Sequence, residues 1–425
     1  MDIIKKYGYA IKNSMANPET SLNLIKTGLF FEKFRLSKFR NKTLPPSLQY
    51  LNKICVQYIL EPLQNSHSSA LVNLFAPAEL LHAMNIYPLF IEAFSSFLSG
   101  FTCEDYFIDY ATNCGFSETL CSYHKAFLGA INSGLLPKPR FAITSSMICD
   151  ANISTFKHTS KQYDIPLYVI DIPYEYSKDA EKYVSVQIKE MVNMMEDVMK
   201  KSLDENKLKE VIMRENASLI YRKNFYTSLQ TKYFPNTLTL EMYKLFASHV
   251  AIGREETYTF YKMQAKDIKT FKESKSKKIL WVHLLPFYHK LLKNYFNLSE
   301  DYQLLTCDFN FDYMDELDYN HPYDALAKKM ILNQYNGSFE TKAQNILKAA
   351  KTLNADGVIN FCHWGCKQST GGTMILKELF KKNNLPFLSI DGDCIDRRNT
   401  QDGQIQTRIE AFLEMINTNN RRKVV

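Results

Sequence analysis

The sequence predicts an α/β protein of two doubly wound units, each a parallel sheet with helices on both faces. Short apolar runs recur as strands, and stretches of helical spacing separate them, which is the βαβ pattern. Glycine and proline are sparse, 14 of each in 425 residues, which speaks against low-complexity or all-β repeat architectures. A hydrophobic content of 45% supplies a sizeable core and argues against disorder.

Residues 1–66 alternate apolar and basic positions at helical spacing, broken at Pro45-Pro46, and read as a helical extension. A first α/β unit is expected over 67–180. It opens with a buried strand, Ala70-Leu71-Val72-Asn73-Leu74-Phe75, and a helix, Pro77 to Met84, with proline in its first turn. Further strands are read at Phe141–Thr144 and Leu167–Ile170. Residues 181–276 form a helical connector, with valine, isoleucine and methionine at three- and four-residue steps from Ala180 to Lys201. Its end, Lys262 to Lys278, carries seven lysines and reads as a solvated linker. The second α/β unit, 277–425, has strands at Lys278–His283, Gln303–Leu305, Gly357–Phe361 and Pro386–Ile390, and closes on a helix from Ile405 to Ile416. Ligands of open parallel sheets bind at the carboxyl ends of the strands.

Several function classes fall away. The longest apolar runs, such as Leu284–Phe287, are too short to span a bilayer. The start, Met1-Asp2-Ile3-Ile4-Lys5-Lys6, lacks the features of a signal peptide, so a cytoplasmic location is expected. The net charge of +7 comes without basic–aromatic interleaving or a nucleic-acid-binding module, and suits an anionic small ligand better than DNA or RNA.

The nine cysteines are therefore expected as free thiols. Cys149 follows an apolar strand, Cys366 lies just beyond another in Phe361-Cys362-His363-Trp364-Gly365-Cys366, and Cys121 stands at a helix start. Three such thiols could converge on a soft metal centre. Spacing alone leaves three outcomes open: an iron–sulfur cluster, zinc at Cys362/His363/Cys366, or plain buried cysteines. There is no Walker motif and no G-x-G-x-x-G. The turn Ser369-Thr370-Gly371-Gly372-Thr373 precedes a helix and is either an ordinary cap or a set of amides for an anion or thioester oxygen.

Six segments, in order, carry a family resemblance. They are Pro77-Ala78-Glu79-Leu80-Leu81-His82-Ala83-Met84-Asn85-Ile86-Tyr87-Pro88; then Cys121 and Cys149 in their contexts; then Asp356-Gly357-Val358-Ile359 with its cysteine-bearing loop; then Leu385 to Asp393 and Gly403 to Glu414. Together they resemble the 2-hydroxyacyl-CoA dehydratase family, which also includes benzoyl-CoA reductase subunits and double-cubane cluster proteins. The resemblance covers roughly residues 70–418. It implies flavodoxin-like domains and a [4Fe–4S] cluster held by Cys121, Cys149 and Cys366, with Cys362 as rival for the third ligand and Cys394 an incidental thiol. A double-cubane [8Fe–9S] cluster is the alternative. The chemistry implied is elimination of water from a 2-hydroxyacyl-CoA, difficult because the proton to be lost is not acidic. In the family one electron makes a ketyl radical anion that expels hydroxide and acidifies that proton. The resemblance further implies a related second subunit or a homodimer, and a separate ATP-hydrolysing iron–sulfur activator, in keeping with the missing Walker motif. Other members act as low-potential reductases, and a non-catalytic electron-transfer subunit is a third reading. Asn85 stands where the family has glycine, compatible with left-handed geometry. Glu79, in the first turn of its helix, is either a plain helix-end charge or a carboxylate that positions substrate or moves a proton.

Overall fold

The computed structural model describes residues 3–419. Three helices, Ile3–Asn13, Pro18–Lys38 and Pro46–Gln64, make the N-terminal extension, the last starting at the predicted proline break. Two four-stranded parallel sheets follow. The first contains β1 (Ser69–Val72), β2 (Tyr87–Phe90), β3 (Phe141–Ser145) and β4 (Leu167–Ile170) in the order β2-β1-β3-β4. The second contains β5 (Lys277–His283), β6 (Tyr302–Cys307), β7 (Gly357–His363) and β8 (Phe387–Gly392) in the order β6-β5-β7-β8. Both orders are flavodoxin-like, with a switch point between the first and third strands of each sheet. The predicted α/β class with two such sheets and a helical N-terminus is what the chain adopts.

Alternation along the strands places the second sheet between two cores. Ile279 and Trp281 of β5 face the core shared with the first sheet, where Leu71 and Ile143 also lie. Leu280 and Val282 face the opposite core, with Leu51 and Ile54 of the N-terminal extension. Gly357 opens β7 where the final helix, Asp402–Asn419, presses closest; an added Cβ would lie 2.5 Å from the Phe412 ring. Between the sheets run helices Lys178–Met199, Glu205–Leu229, Leu238–Ser248 and Glu255–Asp267. The first three start at side-chain caps, Ser177, Asp204 and Thr237, which accept backbone N–H groups. No helix among the described residues is long and apolar enough to cross a membrane.

Three local readings change. The segment Tyr87–Phe90 is a strand that alternation did not reveal. It contains Pro88, tolerated because β2 is the sheet's edge and needs no ladder N–H there. β1 stops at Val72, because Asn73 begins a turn that returns the Ala76 amide to its carbonyl. The lysine-rich stretch is less of a linker than its charge suggests: it continues a helix to Asp267 and pairs Glu273 with Lys232 in an isolated bridge. Its lysines at 262, 266, 269, 272 and 275 stay exposed. Asn85 is left-handed, with φ 56°, as the motif requires.

Candidate functional site

Cys121, Cys149 and Cys366 each occupy the position just before a helix, namely Ser122–Asn132, Asp150–Tyr163 and the single turn Lys367–Thr370. The N–H groups of a helix start favour a thiolate over a thiol. Cys149 follows β3 after a three-residue loop in which Ile148 is left-handed, φ 66°. Cys366 follows β7, the equivalent strand of the second sheet. The loop carrying Cys366 lies directly on Cys121. Gly365 has φ 79°, and an added Cβ there would stand 2.6 Å from the Cys121 nitrogen. The fold thus brings the Cys366 loop onto Cys121, and Cys149 lies within electrostatic reach of both, although the three are far apart in the chain.

Each thiol meets a buried imidazole. His363 Nε2 lies 3.1 Å from Cys121 Sγ, His283 Nε2 lies 3.2 Å from Cys366 Sγ, and His124 Nε2 lies 3.8 Å from Cys149 Sγ. Burial pushes all three imidazoles below their ordinary range, that of His124 to about 4, so they are neutral partners. Burial pushes the thiols up, Cys149 to about 11, and the neighbouring cysteine charges push Cys121 and Cys149 further. Lys342, 2% exposed, opposes this at Cys366, where its charge and the Ser369 hydrogen bonds favour the thiolate.

This donor set fits a soft, positively charged metal group. Three helix-start thiols that are too costly to ionise alone can do so when a metal replaces their protons. Among the described residues no three His, Cys, Asp or Glu side chains close on a single ion. Cys362 is turned the other way. It is next to His363 on β7 and so faces the opposite side of the strand, where its Sγ meets Asn360 Nδ2 at 3.3 Å and Ser389 Oγ at 3.1 Å. Cys394, fully buried, is close enough to the centre for Cys121 and Cys366 to raise its pKa, after burial itself.

The first three amides of the Ser369–Thr373 turn are taken by the protein's own carbonyls. The amides of Ser369 and Thr370 bond to Cys366 O, and that of Gly371 to Lys367 O. The Ser369 hydroxyl accepts the His363 amide at 3.0 Å and donates to Cys366 O at 2.9 Å. Gly372 leaves room for the Phe339 ring, which would be 2.1 Å from an added Cβ. The turn therefore fixes the loop between His363 and Cys366.

Glu79 heads its short helix, Ala78–Ala83, and is 1% exposed. Lys329 Nζ reaches it at 2.6 Å and reaches Glu215 at the same distance. The two carboxyls also share a hydrogen bond. Glu79 is held below the ordinary carboxylate range against the cost of burial by Lys329 and by the bond to Glu215. Burial and the Glu79 charge push Glu215 up to about 8, so it carries a proton at neutral pH. Both line a cavity of about 40 Å³ with Met147, Arg222, His249 and Asp312. His249 Nε2 lies 2.9 Å from Asp312 Oδ2, and Asn333 donates to the same oxygen at 2.6 Å. The volume suits a water or two, not an acyl-CoA. Met147 is two residues before Cys149, on the same loop as one of the thiols.

Residues 73–416 match the family described as 2-hydroxyglutaryl-CoA dehydratase, D-component. The chain belongs to this family. Similar curated proteins are the (R)-phenyllactyl-CoA dehydratase alpha subunit of Clostridium sporogenes, 28% identical over 72% of this chain and 79% of that one. The lactoyl-CoA dehydratase subunit alpha of Anaerotignum propionicum is 23% identical over 81% and 89%. The (R)-2-hydroxyglutaryl-CoA dehydratase subunit alpha of Acidaminococcus fermentans is 23% identical over 68% and 62%. These relatives are hydro-lyases by name, and the designation alpha implies a partner subunit in each.

Within this family fold, sequence reasoning left several site residues unmarked. His283 ends β5, where a strand-end rule could have flagged it, and His363, which ends β7, enters the sequence reading only as a zinc candidate. His124 lies one helical turn after Cys121. Glu215 and Lys329 gave no signal, since each sits in an ordinary helical pattern.

Proposed function

We propose that this chain is the iron–sulfur subunit of an activator-dependent radical 2-hydroxyacyl-CoA dehydratase. The observation that carries the reading is the meeting of three helix-start thiols at the carboxyl ends of both sheets, each against a neutral imidazole. Cys121, Cys149 and Cys366 would hold a [4Fe–4S] cluster. When bound, that cluster supplies one electron to the thioester carbonyl and a free iron for the substrate hydroxyl. Overall the hydroxyl leaves C2 and a proton leaves C3, giving a 2-enoyl-CoA and water; the electron is returned, so the substrate undergoes no net redox change.

The chain's own groups would manage charge and protons around that step. Lys342 and the imidazoles offset the negative charge of three thiolates. Glu79, ionised, and Glu215, protonated, give the neighbouring cavity one carboxylate that can take a proton and one carboxyl that can give it. The partners would be a related second subunit, in keeping with the alpha designation of the relatives, and an ATP-hydrolysing iron–sulfur activator, in a cytoplasmic setting.

The test is anaerobic purification with the partner subunit, iron and sulfide analysis, and an activator-plus-ATP assay over a panel of 2-hydroxyacyl-CoA thioesters. Enoyl-CoA formation that needs both activator and bound iron is expected. An iron-loaded complex that reduces acyl-CoA thioesters but eliminates water from none of the panel would replace this reading with a reductase.

A further inference from the structure

We infer that His363 is a positioning residue for the metal centre: its Nε2–H donates a hydrogen bond to the Cys121 sulfur and sets the electron affinity of the group that sulfur holds. This rests on the reading of Cys121 as a ligand. The direction of the bond follows from the other side of the ring. His363 Nδ1 receives the Cys394 amide N–H at 3.0 Å, and an amide aimed at that nitrogen leaves no room for a proton there. The ring hydrogen must then sit on Nε2, which faces Cys121 Sγ at 3.1 Å.

The amide that enforces this tautomer is itself held in place. Asp393 Oδ1 accepts the Ile395 and Asp396 amides at 2.8 and 2.9 Å and the Ser122 hydroxyl at 2.5 Å. That oxygen lies 3.6 Å from His363 Nδ1, but its acceptor capacity is already used by those three donors. The Gly392-Asp393-Cys394 turn thus acts through one ring on a cysteine 242 residues from His363. The other two imidazoles lack this definition. Among the described residues His283 Nδ1 has no hydrogen-bond partner, and His124 Nδ1 meets the Thr155 hydroxyl, which can donate or accept.

An N–H donor withdraws negative charge from the sulfur and stabilises the more negative, reduced state of a cluster, so it raises the midpoint potential. The activator would then have to deliver its electron at a less extreme potential than without His363.

The experiment uses the reconstituted subunit complex. Iron and sulfide are counted in wild type, C121S, H363L and H363Q, and each loaded protein is titrated potentiometrically with EPR detection. H363L should keep its iron and show a more negative midpoint potential. H363Q, which retains an N–H near the ε position, should return toward wild type. Equal potentials in wild type and H363L at equal iron would overturn the inference while leaving the ligand reading intact. Full iron in C121S would instead defeat the ligand reading and the inference with it. Should H363L not fold, pulsed EPR of the unaltered reduced protein carrying ¹⁵N-histidine decides: a coupled histidine nitrogen is expected, and its absence overturns the inference.

Discussion

The thiol–imidazole centre and the Glu79–Lys329–Glu215 cavity are both buried at the carboxyl ends of strands, yet they balance charge in opposite ways. In the cavity the protein supplies both signs: one ammonium lies 2.6 Å from each of two carboxyls, and one carboxyl keeps its proton. At the thiol centre the imidazoles are neutral and burial keeps the thiols protonated, so Lys342 would offset only part of the charge that three thiolates carry. A buried site of the first kind is stable as it stands, whereas the second suits the cationic group proposed above.

The largest effect should come from removing the thiols. Serine at Cys121, Cys149 or Cys366 should abolish the cluster absorbance and lower bound iron, with the fold intact by circular dichroism. Serine at Cys362, whose Sγ faces Asn360 and Ser389, should leave iron unchanged. Full iron in Cys366→Ser with loss in Cys362→Ser would transfer the third role to Cys362. Next comes Lys329→Met, which leaves Glu79 buried and charged without its cation. The expected cost is about 3 kcal/mol, the low end of the range for a broken buried pair, because the Lys329 side chain is still 22% exposed. A urea titration should show the loss, with iron per folded molecule unaltered. The two variants should therefore separate: one removes metal and not fold, the other fold and not metal.

The difference between the sites also explains what the sequence could reveal. The α/β alternation was legible because strand and helix periods are local properties, and β2 escaped only because Pro88 and its edge position broke the pattern. The cysteines could be singled out because they stand at strand ends and helix starts, which are local too. Their pairing with imidazoles was not legible, since Cys121 meets His363 across 242 residues, just as Lys329 meets Glu79 across 250. Glu79 was marked by its motif, but its burial depends on helix Glu205–Leu229 packing against its own and on helix Pro322–Leu332 bringing Lys329 within 2.6 Å, which no spacing records. The turn amides at Ser369–Gly371 looked available in sequence, and the fold spends them on Cys366 and Lys367.

Glu79→Gln should lower turnover by on the order of 10²-fold if that carboxylate moves a proton in the reaction. Iron content should not change. The fold should tolerate the substitution, because with Glu79 neutral the Glu215 proton can leave and Lys329 keeps an anionic partner. Unchanged turnover with a lower melting temperature would assign Glu79 to holding the helix and Lys329 only.

The smallest change to the native site at neutral pH comes from Glu215→Gln, which imitates the protonated carboxyl already present. Its signature lies in the pH dependence. Glu215 has its pKa raised to about 8 in the folded protein by burial first and the Glu79 charge after it, against about 4.3 in an unfolded chain. Between those values the folded state holds a proton that the unfolded state has released. The stability that Glu215 contributes is therefore fully present below pH 4.3 and is lost as pH rises toward 8. Glutamine cannot ionise, so the variant escapes that loss. Urea unfolding between pH 5 and 9 should show the variant gaining on wild type by at most about 1.4 kcal/mol per pH unit, then levelling off above pH 8. A difference that stays flat across that range would mean Glu215 is ionised throughout, and the cavity would then hold no carboxyl proton to give.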